Sequence, residues 1–235
     1  MSIADKLATI AENEQRVYEA GKNTIWDIVL QGGKRTSCEY AFTYWNCEYI
    51  RPPFVWKPTT RTIYCFFRVF NLKKIEKQYF DFSSTPENKT STQGHYYTVY
   101  YCPDLEIFED IGLPACDYEY TWASCNKLHT IELVRSTKAT KYTNTFGQCY
   151  ALSYIRFEGE IGQNIAFTRC YSLSVESVVD ILQHLYNYSG TSDNGTKTIT
   201  FDDQVKTRMA NQGAMAELDG MTYDAYITSK GWNLA

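Results

Sequence analysis

One short phrase recurs along the chain and constrains the fold more than any other feature. In each copy an aromatic residue is followed three positions later by Cys and three positions after that by Leu. The clearest copies are Trp122-Ala-Ser-Cys125-Asn-Lys-Leu128, Phe146-Gly-Gln-Cys149-Tyr-Ala-Leu152 and Phe167-Thr-Arg-Cys170-Tyr-Ser-Leu173. The aromatic positions lie 24 and 21 residues apart. A period of that size predicts structural units that stack on one another.

Each copy reads as a few residues of strand joined to a turn. A unit of about 22 residues cannot bury its apolar edge alone, whereas stacked neighbours can, and their strands then form one parallel ladder. The predicted buried residues of two successive strands are Leu128, Ile131 and Leu133, followed by Leu152, Ile155 and Phe157. Free Cys packs like a small apolar side chain, so the repeated Cys predicts a buried column.

Weaker copies extend the pattern towards the amino terminus. They begin at Phe66 and Val99, and a marginal first copy begins at Tyr44. One step is 33 residues long and contains residues 83–94, which are rich in Ser, Thr, Pro, Asn and Gly and predict an inserted loop. Five of the eight cysteines share the same phase in this scheme, namely Cys47, Cys102, Cys125, Cys149 and Cys170. We therefore predict reduced, packed thiols.

The recurring phrase resembles the leucine-rich repeats of the BspA type over about residues 44–185. The opening residues 1–14, the segment 26–36 and the closing segments 173–178 and 230–234 resemble the flanks of such proteins encoded by phages and prophages of gut Firmicutes. The resemblance implies an α/β repeat fold, a leucine-rich-repeat solenoid with a parallel strand ladder, an N-terminal helix and a C-terminal helical cap.

The same resemblance implies a function without catalysis. It indicates a structural or binding component of the virion, head- or tail-associated in the manner of a tail fiber and assembled in the bacterial cytoplasm, which displays a repeat surface for adhesion or host attachment. The implied partners are other virion proteins and a host surface glycan or protein, and no catalytic residue, metal or cofactor is implied. The corresponding segments are 1–21 for attachment, 22–60 for an N-terminal cap, 61–186 for the solenoid and 187–235 for a C-terminal cap.

Residues 2–20 have the pattern of an amphipathic helix. The apolar side chains follow a 4-3 spacing at Ile3, Leu7, Ile10 and Val17. Such a stripe is too short for a stable coiled coil by itself. In a homo-oligomer held together elsewhere it predicts attachment or oligomerisation, and alternatively it packs on the first repeat as a cap.

The last third of the chain predicts closing elements. Ser174 is placed to cap an amphipathic helix with Glu176 in its first turn. Residues 197–201 alternate in polarity and predict a strand. Residues 203–218 and 222–230 are expected to be helical, with Asp202-Asp203 more consistent with a helix cap than with a cation site.

Composition limits the function classes. The net charge of −4 argues against nucleic acid as the main partner. No apolar run of 18 residues and no signal peptide is evident, so no membrane span is expected. Aromatic residues make up 16% of the chain, with 20 Tyr, which predicts either an exposed binding surface or tyrosines that merely cover repeat edges.

No nucleophile elbow, Walker loop or His-Glu-x-x-His motif occurs in the sequence. The three histidines, His95, His129 and His184, share no motif and read as ordinary surface residues. A glycosidase needs only two suitably spaced carboxylates, and Glu158 with Glu160 is the pair to test. The alternative function is therefore a tail-associated polysaccharide-degrading enzyme.

Overall fold

A computed structural model describes residues 37–52, 54–60, 62–85, 95–137 and 139–235. They belong to one unit of the chain, Thr36–Ala235. These residues form an α/β fold with parallel strands in two sheets and few helices. The predicted attachment helix at 1–21, with Ile3, Leu7, Ile10 and Val17, lies outside the described residues, as do residues 22–36 and 86–94.

The first sheet joins four copies of the phrase side by side. Its strands are β1 (Lys74–Ile75), β2 (Ile107–Phe108), β3 (Thr130–Arg135) and β4 (Tyr154–Glu158), hydrogen-bonded in that order and all parallel. Two sets of residues are in register on adjacent strands. They are Lys74, Ile107, Thr130 and Tyr154, and then Ile75, Phe108, Ile131 and Ile155. Each strand therefore begins eight residues after the aromatic position of its own copy.

The register of β3 against β4 shifts between Ile131 and Val134, which marks a β-bulge. A bulge places one extra residue in a strand and reverses the facing of the residues that follow. Val134 consequently points into the interior and is 1% exposed, whereas Leu133 is only half-buried. The prediction of Leu133 as a buried residue was wrong for this reason.

The second sheet lies at the aromatic positions of the later copies. It contains β5 (Ile165–Phe167), β6 (Lys197–Phe201) and β7 (Trp232–Leu234), again all parallel. The predicted strand at 197–201 is confirmed as β6. Because β6 pairs with β5, parallel pairing continues past residue 186 into the predicted C-terminal cap at 187–235.

Three α-helices lie in the described part of the chain. The predicted cap of the first is confirmed, since the hydroxyl of Ser174 accepts the backbone N–H of Ser177. The carboxylate of Asp202 accepts the N–H of Gln204, which confirms its role as a cap. The helices are α1 (Val175–Gln183), α2 (Asp203–Ala210) and α3 (Tyr223–Ser229).

The predicted helix over 203–218 is too long. After α2 the chain passes through Gly213, whose φ of +68° is a left-handed conformation, and a 3₁₀ turn follows at Ala216–Leu218. Met215 and Met221 form an antiparallel bridge that brackets this turn. A residue in the left-handed region ends an α-helix, so one continuous helix cannot form here.

Helix α1 covers the outer edge of β4. The hydroxyl of Ser177 accepts the N–H of Ile155 at 3.1 Å, and the carboxylate of Asp180 accepts the N–H of Phe157 at 2.8 Å. These backbone groups would otherwise be an unpaired sheet edge, which is a template for association with another chain. The side chains of α1 thus end the first sheet.

The first copy of the phrase begins two residues before the predicted start at Tyr44. The rings of Phe42 and Phe66 stack with centroids 5.2 Å apart, and Asn46 pairs in parallel with Phe70. Both relations join residues 24 positions apart. Phe42 is therefore the aromatic position of the first copy.

This shift removes Cys47 from the predicted cysteine column. The pairing of Asn46 with Phe70 places Cys47 beside Asn71, which is not a cysteine-phase position. Cys47 is only half-buried, whereas Val69, the residue at the cysteine position of the next copy, is fully buried. The prediction for Cys47 was wrong because Tyr44-x-x-Cys47 imitates the phrase out of register.

Candidate interaction surface

The predicted interior cysteines occupy one column. Cys125, Cys149 and Cys170 are 0% exposed, and each Sγ donates to the carbonyl at the aromatic position of the preceding copy. The acceptors are Val99, Trp122 and Phe146, each at 3.1 Å, and Cys102 bonds Phe66 in the same way at 2.9 Å.

These thiols have no chemical role that their surroundings would support. Burial raises the pKa of Cys102, Cys149 and Cys170, which keeps them protonated, and the thiolate is the nucleophile and metal ligand. None of the eight cysteines forms a disulfide. The column is therefore packing with one hydrogen bond per step.

The other predicted core residues also lie inside. Leu128, Leu152, Leu173, Ile131 and Ile155 are each 0% exposed. The aromatic positions form a stack alongside them. Successive ring centroids are 5.6 Å apart for Trp122 and Phe146, 4.8 Å for Phe146 and Phe167, and 5.6 Å for Phe167 and Phe201. All of these residues support the surface and are not exposed on it.

His95 is buried, contrary to the expectation of a surface histidine. It is 2% exposed, and its Nε2 lies 3.0 Å from the carbonyl of Pro114. A carbonyl can only accept, so Nε2 carries the hydrogen and Nδ1 accepts from the hydroxyl of Thr62. Burial lowers the pKa of His95 to about 3, which makes it a neutral core residue. The prediction of a surface residue was wrong because His95 occupies an interior position of its copy, four residues before Val99.

On the outer side of each turn, tyrosines form a row two residues before the aromatic position. Tyr40, Tyr64, Tyr97 and Tyr120 all adopt left-handed backbone conformations, with φ between 54° and 58°. Their rings are nearly parallel, with successive centroids 4.9, 5.4 and 4.7 Å apart. The row continues across the 33-residue step, so the turns on either side of that step stay in register.

A second set of side chains lies beside this row. Phe67 and Tyr100, one residue after the aromatic position, stack with centroids 5.5 Å apart. Tyr44, Arg68 and Tyr101, two residues after it, also have positive φ of 63°, 54° and 58°. We call these nine residues the turn face: Tyr40, Tyr44, Tyr64, Phe67, Arg68, Tyr97, Tyr100, Tyr101 and Tyr120.

The turn face is suited to binding. Its residues are half-buried or exposed, and Tyr40, Tyr44 and Tyr101 are 56, 60 and 41% exposed. Because the rings in the row cover one another's faces, the row offers ring edges and hydroxyl groups to a partner. Burial raises the pKa of Tyr64 and Tyr97, so both stay protonated near neutral pH. Tyr loses little conformational entropy on binding because its side chain is rigid.

The tyrosine row was missed as a site although the sequence contained its signal. Tyr recurs two residues before four successive aromatic positions, at Tyr40, Tyr64, Tyr97 and Tyr120. The misplaced first copy hid one member. The left-handed backbone of these residues could not be read from the sequence, because Tyr is uncommon in that conformation.

A cavity of about 460 Å³ lies between β4, α1 and the loop before the 3₁₀ turn. Arg156, Glu176 and Asp180 line it, and all three are engaged. Arg156 pairs with Glu176 at 2.8 Å, and Asp180 accepts the backbone N–H of Phe157. These three charged side chains of the cavity therefore already have partners within the protein.

The carboxylates Glu158 and Glu160 flank the tight turn at Gly159. Glu158 lies 3.2 Å from the guanidinium of Arg135, with 62% of its side chain exposed, and Glu160 is exposed. Neither environment is the apolar one that gives a glycosidase its general acid. Among the described residues there is also no group of three or more potential metal ligands.

Comparisons with protein families, with curated proteins and with solved structures return no significant match to this chain. Within the described segments, no helix combines the length and apolar character needed to cross a membrane.

Proposed function

We propose that this chain is a non-enzymatic virion protein in which a leucine-rich-repeat solenoid of the BspA type displays the turn face to a partner. The observation that carries the proposal is the ordered row of half-exposed tyrosines on a rigid, repeated support. Tyr is enriched in protein surfaces that bind other molecules. A core that only needed covering would not require aromatic rings stacked along four successive turns.

The repeat architecture is supported by equivalent contacts in successive copies. Four cysteines donate to the same carbonyl position one copy earlier. Four strands pair in parallel, and the first two residues of each strand are in register with those of its neighbours. Such nearest-neighbour stacking is typical of solenoids, whose extended faces serve as binding surfaces.

The attachment role is assigned to residues 1–21. In virions of the phage that encodes this chain, replacing residues 1–20 with a Gly/Ser linker should leave the repeats folded and abolish incorporation into particles. Mass spectrometry of purified particles measures the incorporation, and circular dichroism of the isolated variant checks its folding. Normal incorporation of the linker variant would exclude this role, and a cap role would instead lower the stability.

The binding role is tested on intact cells. The purified chain should bind cells of its host, and Tyr97→Ala should weaken that binding, whereas Tyr154→Ala, on the strand side of the molecule, should not. Release of oligosaccharide from host glycan by the purified chain, lost in Glu158→Gln, would favour the polysaccharide-degrading enzyme instead. Absence of both binding and cleavage would contradict the display function.

A further inference from the structure

Arg68 is the one cation of the turn face. Its guanidinium carbon lies 5.2 Å from the ring centroid of Phe67, 5.5 Å from that of Tyr101 and 5.9 Å from that of Tyr44. The side chain is half-buried. Contacts of this kind with aromatic rings hold a guanidinium in place without neutralising its charge.

No carboxylate of the described residues pairs with Arg68. Arg51, Arg135 and Arg156, by contrast, bind Glu76, Asp110 and Glu176 at 2.7 to 2.8 Å. The Nε of Arg68 is also buried and has no hydrogen-bond partner. A buried donor without a partner is costly and rare in folded proteins.

A guanidinium that is held by aromatic rings and paired with no carboxylate of the described residues complements an anionic ligand. Two tyrosines, Tyr44 and Tyr101, flank the guanidinium, and their hydroxyl groups can donate hydrogen bonds. Arginine forms paired, charge-assisted hydrogen bonds with carboxylate and phosphate groups. The aromatic surroundings hold the guanidinium in place before the ligand arrives, which lowers the entropic cost of binding.

We propose that Arg68, flanked by Tyr44 and Tyr101, is the subsite at which the turn face binds the carboxylate or phosphate groups of an anionic surface polymer. This subsite rests on the proposed function, in which the turn face binds a partner. It adds that the partner is anionic.

Arg169 provides a matched control. It occupies the same position two residues after the aromatic residue of its copy and has the same kind of backbone conformation, with φ of 64° against 54°. Arg169 is exposed, and the corresponding residues of the two preceding copies are Ser124 and Gln148. Arg68→Gln and Arg169→Gln therefore remove the same charge from equivalent backbones, with and without the aromatic surroundings.

The experiment measures binding of the full chain to immobilised polygalacturonate, to its methyl ester and to poly(glycerol phosphate). We expect binding to one or both anionic polymers and not to the neutral ester.

Arg68→Gln should weaken binding to the anionic polymer by about tenfold or more, since charge-assisted hydrogen bonds are lost. Arg169→Gln should weaken it by less than about twofold. Arg68→Lys should bind between wild type and Arg68→Gln, because it keeps the charge without the paired geometry. Preference between the two anionic polymers identifies carboxylate or phosphate as the source.

Equal weakening by Arg68→Gln and Arg169→Gln would overturn the proposal, as would equal binding of the ester or no binding of either anionic polymer. Thermal melting of each variant checks that the fold is kept, and Arg68→Lys serves if Arg68→Gln does not fold. Binding to host cells distinguishes failure of the Arg68 subsite from failure of the display function. If wild type and Arg68→Gln bind cells equally, the subsite is wrong while the display function stands. If wild type does not bind cells, the display function itself fails.

Discussion

The amino-terminal and carboxy-terminal turns have the same backbone and different surfaces. At the position two residues before the aromatic residue, Tyr97 and Tyr120 are followed in the next copy by Asn144, with φ of 54°, 56° and 50°. The amide of Asn144 donates to the hydroxyl of Tyr120 at 3.0 Å and ends the row. Two positions after the aromatic residue, Arg68 and its aromatic neighbours give way to polar residues such as Gln148.

The difference shows which part of each copy sets the fold and which part is available for binding. From Phe66 onward the interior positions of each copy are buried and apolar, with Val69 in place of Cys and Val99 in place of the aromatic residue, so they set the stacking. The outer turn positions need only tolerate a left-handed conformation, which costs roughly 1–2 kcal/mol for a residue with a side chain. Aromatic residues at these positions in the amino-terminal half are therefore a feature of the surface and are not required by the stacking.

The largest expected effect comes from breaking the support that both halves share. Phe146 is fully buried between Trp122 and Phe167. Phe146→Ala should lower the free energy of unfolding by about 3–5 kcal/mol, because a large cavity remains in the stack. Urea denaturation followed by circular dichroism measures the change, and Phe146→Leu, which refills most of the volume, should lose distinctly less. A loss below about 1 kcal/mol for Phe146→Ala would contradict its buried position.

The second largest expected effect is a pH dependence of the stability, caused by His95 in the amino-terminal half. His95 has a pKa lowered to about 3 by burial, whereas an unfolded chain has a His pKa of about 6.5. The unfolded state thus binds the proton first, so stability is complete above about pH 6.5 and falls by up to about 1.4 kcal/mol per pH unit as the pH decreases towards 3.

Denaturation midpoints between pH 7 and pH 4 test this sign. His95→Gln, whose amide can replace both hydrogen bonds to Thr62 and Pro114, should show a flatter pH dependence than wild type. At equivalent interior positions the next copies have Tyr118 and Tyr142, whose pKa values are raised by burial and which do not titrate in this range. Identical slopes for wild type and His95→Gln would show that His95 is not the buried titrating group.

The smallest effect compares equivalent outer positions of the two halves. Tyr97→Gly removes one ring that stacks on both Tyr64 and Tyr120. Each stacked pair contributes about 0.5–1.5 kcal/mol, and the substitution relieves about 1 kcal/mol of left-handed strain. We expect a net loss of about 1–2 kcal/mol from stacking and burial together. Asn144→Gly should stay within about 0.5 kcal/mol of wild type, since Asn tolerates this conformation. Equal costs at the two positions would mean that the tyrosine row contributes nothing to stability.

The sequence carried enough information for the interior but not for the turns. The spacing of Cys125, Cys149 and Cys170 with Leu128 and Leu152 predicted the buried column, because interior packing imposes one residue type per position. The bulge beyond Ile131 was not predictable, because apolar residues at both 133 and 134 fit either register. In the first copy Trp45 replaces Cys, and the nearby Cys47 produced the wrong start.

The surface was harder to predict for a physical reason. Which side chains meet across turns depends on the left-handed backbone at two positions per copy, and Tyr, Arg and Gln give no propensity signal for that conformation. The prediction of His95 as a surface residue failed because of its residue type. The residue four positions before the aromatic one faces inward in His95, Tyr118 and Tyr142 alike, although these residue types are usually taken to be at least partly exposed.

The stacking of successive copies can be tested by a disulfide across them. The rings of Tyr150 and Tyr171 stack with centroids 5.6 Å apart, and neighbouring parallel strands lie about 4.8 Å apart, within the range that a disulfide spans. The variant with both Tyr150→Cys and Tyr171→Cys should form an intramolecular disulfide on mild oxidation, seen as a loss of two hydrogens in the intact mass of the monomer. If both thiols remain free in the folded variant, or link only between molecules, the copies are not stacked side by side and the turn face does not exist.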